Sequence, residues 1–150
     1  MVLKYWFNKK QIPGNFPSFE EFTPLFGRAI KNTGFPPNKL RDHLRKMDIF
    51  REVRVQHRKG KSLRTLEFRI RQGVPPIVLF DNGYYHQLIE SMARHATVLV
   101  GYTPENLRAN DPFGGEQYPY ERKRFMDSWQ KKKGRYILIT PKIPLKRWLS

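Results

Sequence analysis

The side chains able to do chemistry are few in this chain, and their spacing narrows what they can do. The four histidines are His43, His57, His86 and His95. None sits in a His-Glu-x-x-His pair or a comparable ligand spacing. On a helical reading of residues 84–95, His86 and His95 fall on opposite faces, so the histidines read as ordinary polar or half-buried residues. The serines (Ser18, Ser62, Ser91, Ser128, Ser150) all lack the Gly-x-Ser-x-Gly setting of a nucleophile elbow. Cysteine is absent from all 150 residues. That excludes a thiol nucleophile, a disulfide scaffold and a cysteine-ligated zinc or iron–sulfur centre. No metal and no cofactor is expected.

A metal-dependent nuclease is the sharpest enzymatic alternative, and it requires clustered carboxylates to hold Mg²⁺. Glu67, Asp81 and Glu90 are the candidates, with Lys61 or Arg69 nearby. Glu67 is more simply a cross-strand partner of Arg54, and Asp81 a turn residue. Asp111-Pro-Phe-Gly-Gly115 lacks the Lys-Ser/Thr that completes a phosphate cradle and reads as a structural loop. The chain is therefore read as having no catalytic residues.

Charge carries more information than any motif. Twenty-nine basic against 13 acidic residues give a net charge of +16, and self-repulsion on that scale points to a polyanionic partner. The excess is uneven: residues 50–71 carry net +6 and residues 119–150 net +8, whereas 72–118 carry net −3. Basic and aromatic residues interleave at Lys4-Tyr-Trp-Phe7, Tyr118–Phe125 and Lys146-Arg-Trp148, a mixture suited to phosphates and unpaired bases. The expected RNA-binding residues are Arg54, Arg58, Lys59, Lys61, Arg64, Arg69 and Arg71 in the first segment. Arg122, Lys123, Arg124, Lys131, Lys132, Lys133, Arg135, Lys146, Arg147 and Trp148 complete the set in the second. No apolar stretch is long enough to span a membrane, although a basic accessory subunit of a membrane-associated complex is a further alternative.

Alternation at period two in Phe50–Gln56 and again in Leu66–Arg71, around His57–Ser62, predicts a β-hairpin over 50–71 with a cationic front. Val53, Val55, Leu66, Phe68 and Ile70 would form its apolar back. Ile77–Phe80 and Thr97–Val100 are apolar runs typical of buried strands, and Arg135–Thr140 predicts a fifth strand. Helices are expected near 18–30, 38–47, 84–95 and 121–133, the first opened by the Ser18-Phe-Glu-Glu21 capping box. In the last, Phe125 and Trp129 form an i,i+4 core pair, and Gly134 ends it. Thr103-Pro-Glu105 predicts a helical turn, and Ala109–Gly115 a loop. Residues 1–17 read as an extended arm and 141–150, with Pro141 and Pro144, as an extended tail. The expected fold is α+β or α/β: one domain over 1–150, with a small mixed sheet of about five strands packed by three to four helices.

Phe68-Arg-Ile-Arg-Gln-Gly-Val-Pro-Pro-Ile-Val-Leu-Phe80 resembles the mitochondrial ribosomal L51/S25/CI-B8 family, in which a basic segment precedes a buried strand of a thioredoxin-like unit. Pro75-Pro76 stands at that step without the family's Asn. The resemblance covers about a third of the chain, carries over no functional residue, and implies a ribosomal structural protein. The resulting expectation is a non-catalytic RNA-binding component of a ribonucleoprotein, such as a mitochondrial ribosome. Its partners would be rRNA and neighbouring proteins of the assembly, and its location the mitochondrial matrix or otherwise the cytoplasm.

Overall fold

The computed structural model describes residues 53–87 and 94–142. The helices expected near 18–30 and 38–47, the arm 1–17 and all but the first residues of the tail 141–150 lie outside the described residues. Gln56–Ile139 belong to one compact unit, and its first and last strands run a few residues past those bounds. The described part is α+β. Its six strands are β1 (Val53–Lys59), β2 (Ile77–Asp81), β3 (Arg94–Tyr102), β4 (Asn106–Asp111), β5 (Gly115–Glu121) and β6 (Arg135–Pro141), and they form one sheet in the order β1-β6-β2-β3-β4-β5. Its helices are α1 (Leu63–Arg71), α2 (Asn82–Tyr85) and α3 (Arg122–Lys131).

The expected hairpin over 50–71 is instead a strand followed by a helix. Ser62 is the reason: its hydroxyl accepts from the Arg64 amide at 3.1 Å and caps α1. Leu63, Leu66 and Ile70 recur at i, i+3 and i+7, a helical spacing, and Leu66 is fully buried. Arg69 and Arg71 fall in the last turn, where cations favour the carbonyl end of the helix dipole. Phe68, assigned to an apolar back, is 47% exposed.

Strand β2 lies where the apolar run predicts it, pairing antiparallel with β3 (Val78 opposite Thr97) and with β6 (Ile77 opposite Ile137). Where a helix was expected over 84–95, the described residues show the single turn of α2 at its start and a strand at its end. Asp81 caps α2 by accepting from the Tyr84 amide at 3.1 Å, and β3 begins at Arg94. Residues 88–93 lie outside the described part.

The larger departure is over residues 103–121, where a helical turn and a loop were expected and two strands stand. Thr103 does act as a cap, but of a β-turn: its amide donates to the Asn106 carbonyl at 2.7 Å, and its hydroxyl accepts from the Asn106 amide at 3.0 Å. Leu107, Ala109 and Asp111 alternate inward along β4. The pairings β3/β4 and β4/β5 are antiparallel, each with one irregularity, between Leu99 and Gly101 and between Ala109 and Asp111. The sheet thus reaches six strands rather than five.

Helix α3 packs across β2, and Phe125 and Trp129, the core pair expected from its sequence, are fully buried. Its N-cap is Glu121, whose carboxylate accepts from the amides of Lys123 and Arg124 at 2.8 and 2.9 Å. At its end the Gly134 amide donates to the Trp129 carbonyl, and the Gly134 carbonyl accepts from the Gly60 amide at 2.9 Å. The apolar centre is Phe80, fully buried, with Tyr120 and Phe125 rings at 5.3 and 5.1 Å and His95 at 5.2 Å.

Candidate active site

Three neighbouring strands each bring one polar side chain to the same buried place. His95 stands near the start of β3, Asp111 at the end of β4 and Tyr120 on β5. Each faces inward because of strand alternation, and their exposures are 8%, 5% and 2%. His95 Nε2 lies 2.6 Å from Asp111 Oδ2, and the Tyr120 hydroxyl donates to the same oxygen at 2.7 Å. Asp111 Oδ1 accepts from the amides of Phe113 and Gly114 at 2.9 and 3.0 Å. Both carboxylate oxygens are therefore engaged by donors.

Burial pushes the Asp111 carboxyl up, but donation from Tyr120, the Gly114 and Phe113 amides and His95 outweighs it. The group is held well below the usual carboxylate range and is an ionised acceptor at neutral pH. Tyr120 is the complementary case: burial raises its hydroxyl first, and its bond to the Asp111 carboxylate raises it further, so the phenol stays a donor. Because Asp111 only accepts, the proton of a neutral His95 sits on Nε2 and the lone pair on Nδ1. Nδ1 has no hydrogen-bond partner among the described residues. An imidazole fixed in one tautomer by a buried carboxylate is the base-and-orienter arrangement used in hydrolytic proton transfer.

Rings hold the imidazole in place. Phe80 meets it edge-on at 88°, and Phe113 stacks on it at 5.3 Å and 24°. Tyr85, whose hydroxyl accepts from the Glu121 amide at 3.0 Å, meets Phe80 and Tyr120 edge-on. Burial raises the Tyr85 hydroxyl as well. Among the described residues no group of three or more histidine or carboxylate side chains is placed to hold a metal ion.

A family model described as Peptidase_C39 like matches residues 4–137. The chain belongs to the peptidase C39-like family. Among solved structures it is similar to a crystal structure from Bacillus anthracis named as a putative C39-like peptidase. The likeness has TM-score 0.48 and 19% identity over 57% of this chain and 50% of that one. The chain therefore spans about half the length of that solved protein. No curated protein matches.

Membership of this family overturns the ribosomal reading, and with it the assignments of a non-catalytic protein, of an RNA-binding role and of rRNA and ribosomal partners. In this C39-like chain the resemblance carried by Phe68–Phe80 runs from the middle of α1 through β2. The cations proposed for RNA are spread rather than gathered into one hairpin front. Arg54, Arg58 and Lys59 lie on β1, with Lys61 just after it; Arg64, Arg69 and Arg71 lie on α1, and Arg122, Lys123, Arg124 and Lys131 on α3. Several of the cations are already engaged. Arg122 pairs with Glu67 and donates to the Thr103 carbonyl at 3.0 Å. Lys132 pairs with Asp81 at 2.8 Å, Lys131 stands 4.8 Å over the Tyr84 ring, and Arg69 donates to Gln72 at 3.0 Å. Lys133 and Arg135 flank Gly134 at the start of β6. Lys146, Arg147 and Trp148 lie outside the described residues.

The nuclease alternative loses its ligands in the same way. Glu67 and Asp81 are each committed to a cation, not to one another, and Glu90 lies outside the described residues. Burial pushes the Asp81 carboxyl up, and its bond to Lys132 together with the Tyr84 amide brings it below the ordinary range. Among the described residues no helix is long and apolar enough to cross a membrane.

His95 and Asp111 were both in view in the sequence but were read as a half-buried histidine and a loop residue. The signal that joins them is the inward alternation Leu107, Ala109, Asp111. It makes 106–111 a strand and, through a hairpin at Thr103–Asn106, places Asp111 beside the start of β3.

Proposed function

We propose that this C39-like chain acts on peptide or related amide bonds, with His95 as general base and Asp111 as the group that orients it. The observation that carries the reading is the 2.6 Å contact between His95 Nε2 and Asp111 Oδ2, buried, in a chain of a peptidase-like family. With Nε2–H held by Asp111, Nδ1 is the atom left to take a proton from an attacking hydroxyl or water and return it to the leaving amine. These 150 residues contain no cysteine, so any nucleophile that they themselves supply attacks through oxygen rather than sulfur. Among the described serines, Ser62 caps α1 and Ser128 donates to the Asp81 carbonyl. Both hydroxyls are thus occupied in holding the fold.

The test is incubation of the purified chain with a mixed peptide library, read by mass spectrometry, beside His95→Gln and Asp111→Asn variants whose folding is checked by circular dichroism. The expected result is a set of new peptide termini that disappears in both variants. Binding of library peptides by the native chain with no new termini would reassign the site to peptide recognition. Neither binding nor cleavage would overturn the reading.

A further inference from the structure

Phe113 combines two properties that ordinarily exclude one another: it is 89% exposed, yet it is held in a defined place. Isolated exposed apolar side chains are common and need no explanation, so exposure alone assigns nothing. What sets this ring apart is how it is fixed. Its amide and that of Gly114 both donate to Asp111 Oδ1, the carboxylate that also holds His95. Gly114 is confined by Tyr118, whose ring carbons stand 2.3–2.8 Å from where a Cβ would be, and Gly115 turns the chain at φ +84°. The turn between β4 and β5 is thus built around Asp111. It lays one face of the Phe113 ring along the His95 imidazole at 24°, with most of the ring open to solvent.

We infer that Phe113 is a specificity-determining residue, the platform on which an apolar or aromatic side chain of the substrate rests while the adjoining amide is presented to His95. The inference builds on the hydrolytic reading above and names the substrate class for that site. Geometry supplies the argument. A bond served by His95 must come within hydrogen-bond reach of its ring, and Phe113 lies 5.3 Å from that ring, so groups flanking the bond fall on the phenyl face. The turn fixes the backbone that carries the ring, so presenting it to a partner needs no loop ordering, and offset or edge-on contact with an apolar partner is favourable there. Acidic or strongly hydrated side chains would gain nothing from that face.

Two measurements separate this inference from the reading beneath it. The first uses small amides that need not be cleaved: N-acetyl-phenylalaninamide and N-acetyl-glycinamide, titrated into the isotopically labelled full chain and followed by NMR. The aromatic amide is expected to shift the Phe113 and His95 ring signals and the glycine amide to leave them in place. In Phe113→Ala that difference is lost while the remaining spectrum is retained. The second is the ratio of kcat/KM for matched peptides with Phe or Gly beside the cleaved bond. It is expected to fall about tenfold in Phe113→Ala, as for loss of an apolar contact in a specificity site, and to be largely recovered in Phe113→Leu. Equal response to the two amides in the native chain, or an unchanged difference in Phe113→Ala, overturns the inference. Absence of cleavage with the aromatic amide still bound at Phe113 overturns the hydrolytic reading and leaves the platform standing.

Discussion

His95 and Asp111, sixteen residues apart, meet at 2.6 Å because β3 and β4 form an antiparallel pair that turns at Thr103–Asn106. The contact depends on both strands being in register and on the turn after Asp111 folding back to satisfy its second oxygen. A side-chain pair built this way is positioned by backbone hydrogen bonds on several elements. It can therefore hold an imidazole in one orientation without a loop rearrangement.

Replacing Asp111 by Asn tests that dependence through activity and stability together. The amide keeps the shape but cannot act as an ionised acceptor, so the His95 tautomer is no longer enforced; kcat is expected to fall by about 10³–10⁴-fold if His95 is the base. The pH dependence of stability has a fixed sign. The folded-state carboxyl is held below its ordinary value, so its contribution is fully present above the unfolded value near pH 4 and is lost as the pH falls through the folded one. The native chain should therefore exceed Asp111→Asn in denaturation midpoint at pH 7, and the gap should narrow below about pH 4. A gap independent of pH would show that the carboxylate charge is not what matters.

Tyr120→Phe removes one donor to the same oxygen. At pH 7 the expected cost is roughly 1.5–3 kcal/mol, the net value of a hydrogen bond to a charged group, with a smaller loss of activity than in Asp111→Asn because His95 and two amides still bind the carboxylate. At high pH the sign reverses. Folded Tyr120 resists ionisation, so the native chain loses stability as the pH rises above the unfolded tyrosine value near 10. The variant lacks that loss, and the two unfolding curves should draw together by roughly 1.4 kcal/mol per pH unit above about pH 10. Parallel curves across that range would count against the Tyr120–Asp111 bond.

Much of the core was legible because it rests on local patterns. The run Ile77–Phe80 and the pair Phe125 and Trp129 are apolar enough, and periodic enough, to declare strand and helix without tertiary information. The hairpin over 50–71 failed because Leu66–Arg71 satisfies both periods: Leu66, Phe68 and Ile70 alternate, while Leu63, Leu66 and Ile70 follow a helix. Ser62, standing where a cap belongs, was the arbiter. The site was missed for a different reason. Thr103-Pro104 is as good a start for a helical turn as for a β-turn, and only the buried alternation of Leu107, Ala109 and Asp111 settles it. The charge of +16 misled most, because surface lysines and arginines that pair with Glu67 and Asp81 or sit at helix ends look the same in sequence as a phosphate-binding front.

Phe80 and Leu79 provide an internal comparison on one strand. Phe80 is fully buried among Tyr120, Phe125 and His95, whereas Leu79 faces the other way and is only half-buried. Phe80→Ala should cost about 3–5 kcal/mol from lost transfer energy and the cavity left behind. Leu79→Ala should cost less than about half of that, since the residue leaves water only in part. Chemical denaturation of the two variants checks this, and equal losses would mean that the two faces of β2 are equally enclosed. Phe80→Ala carries a second consequence, since it removes the ring that meets the His95 imidazole edge-on. Its activity should fall further than its stability at the assay temperature explains.

Two glycines in the same sheet should answer substitution in opposite ways. Gly134 joins α3 to β6 at φ +61°, and a Cβ there would stand 2.0 Å from the Gly60 carbonyl oxygen, which is backbone and cannot swing aside. The same carbonyl accepts from the Gln130 side-chain amide at 3.1 Å, and the Gly60 amide donates to Gly134, so any displacement disturbs the strap between β1 and β6. Gly134→Ala combines a left-handed backbone with a backbone clash, and the expected loss is roughly 2–4 kcal/mol. Gly101, beside the irregularity in β3, would place its Cβ 3.5 Å from Arg108 Cβ, an ordinary contact. Gly101→Ala is therefore expected to stay within about 1 kcal/mol of the native chain, with reduced freedom of the unfolded chain offsetting any local adjustment. Urea denaturation with matched slopes separates the pair. A Gly134→Ala variant as stable as Gly101→Ala would mean that the end of α3 unwinds at little cost and that Gly60 and Gly134 do not constrain one another.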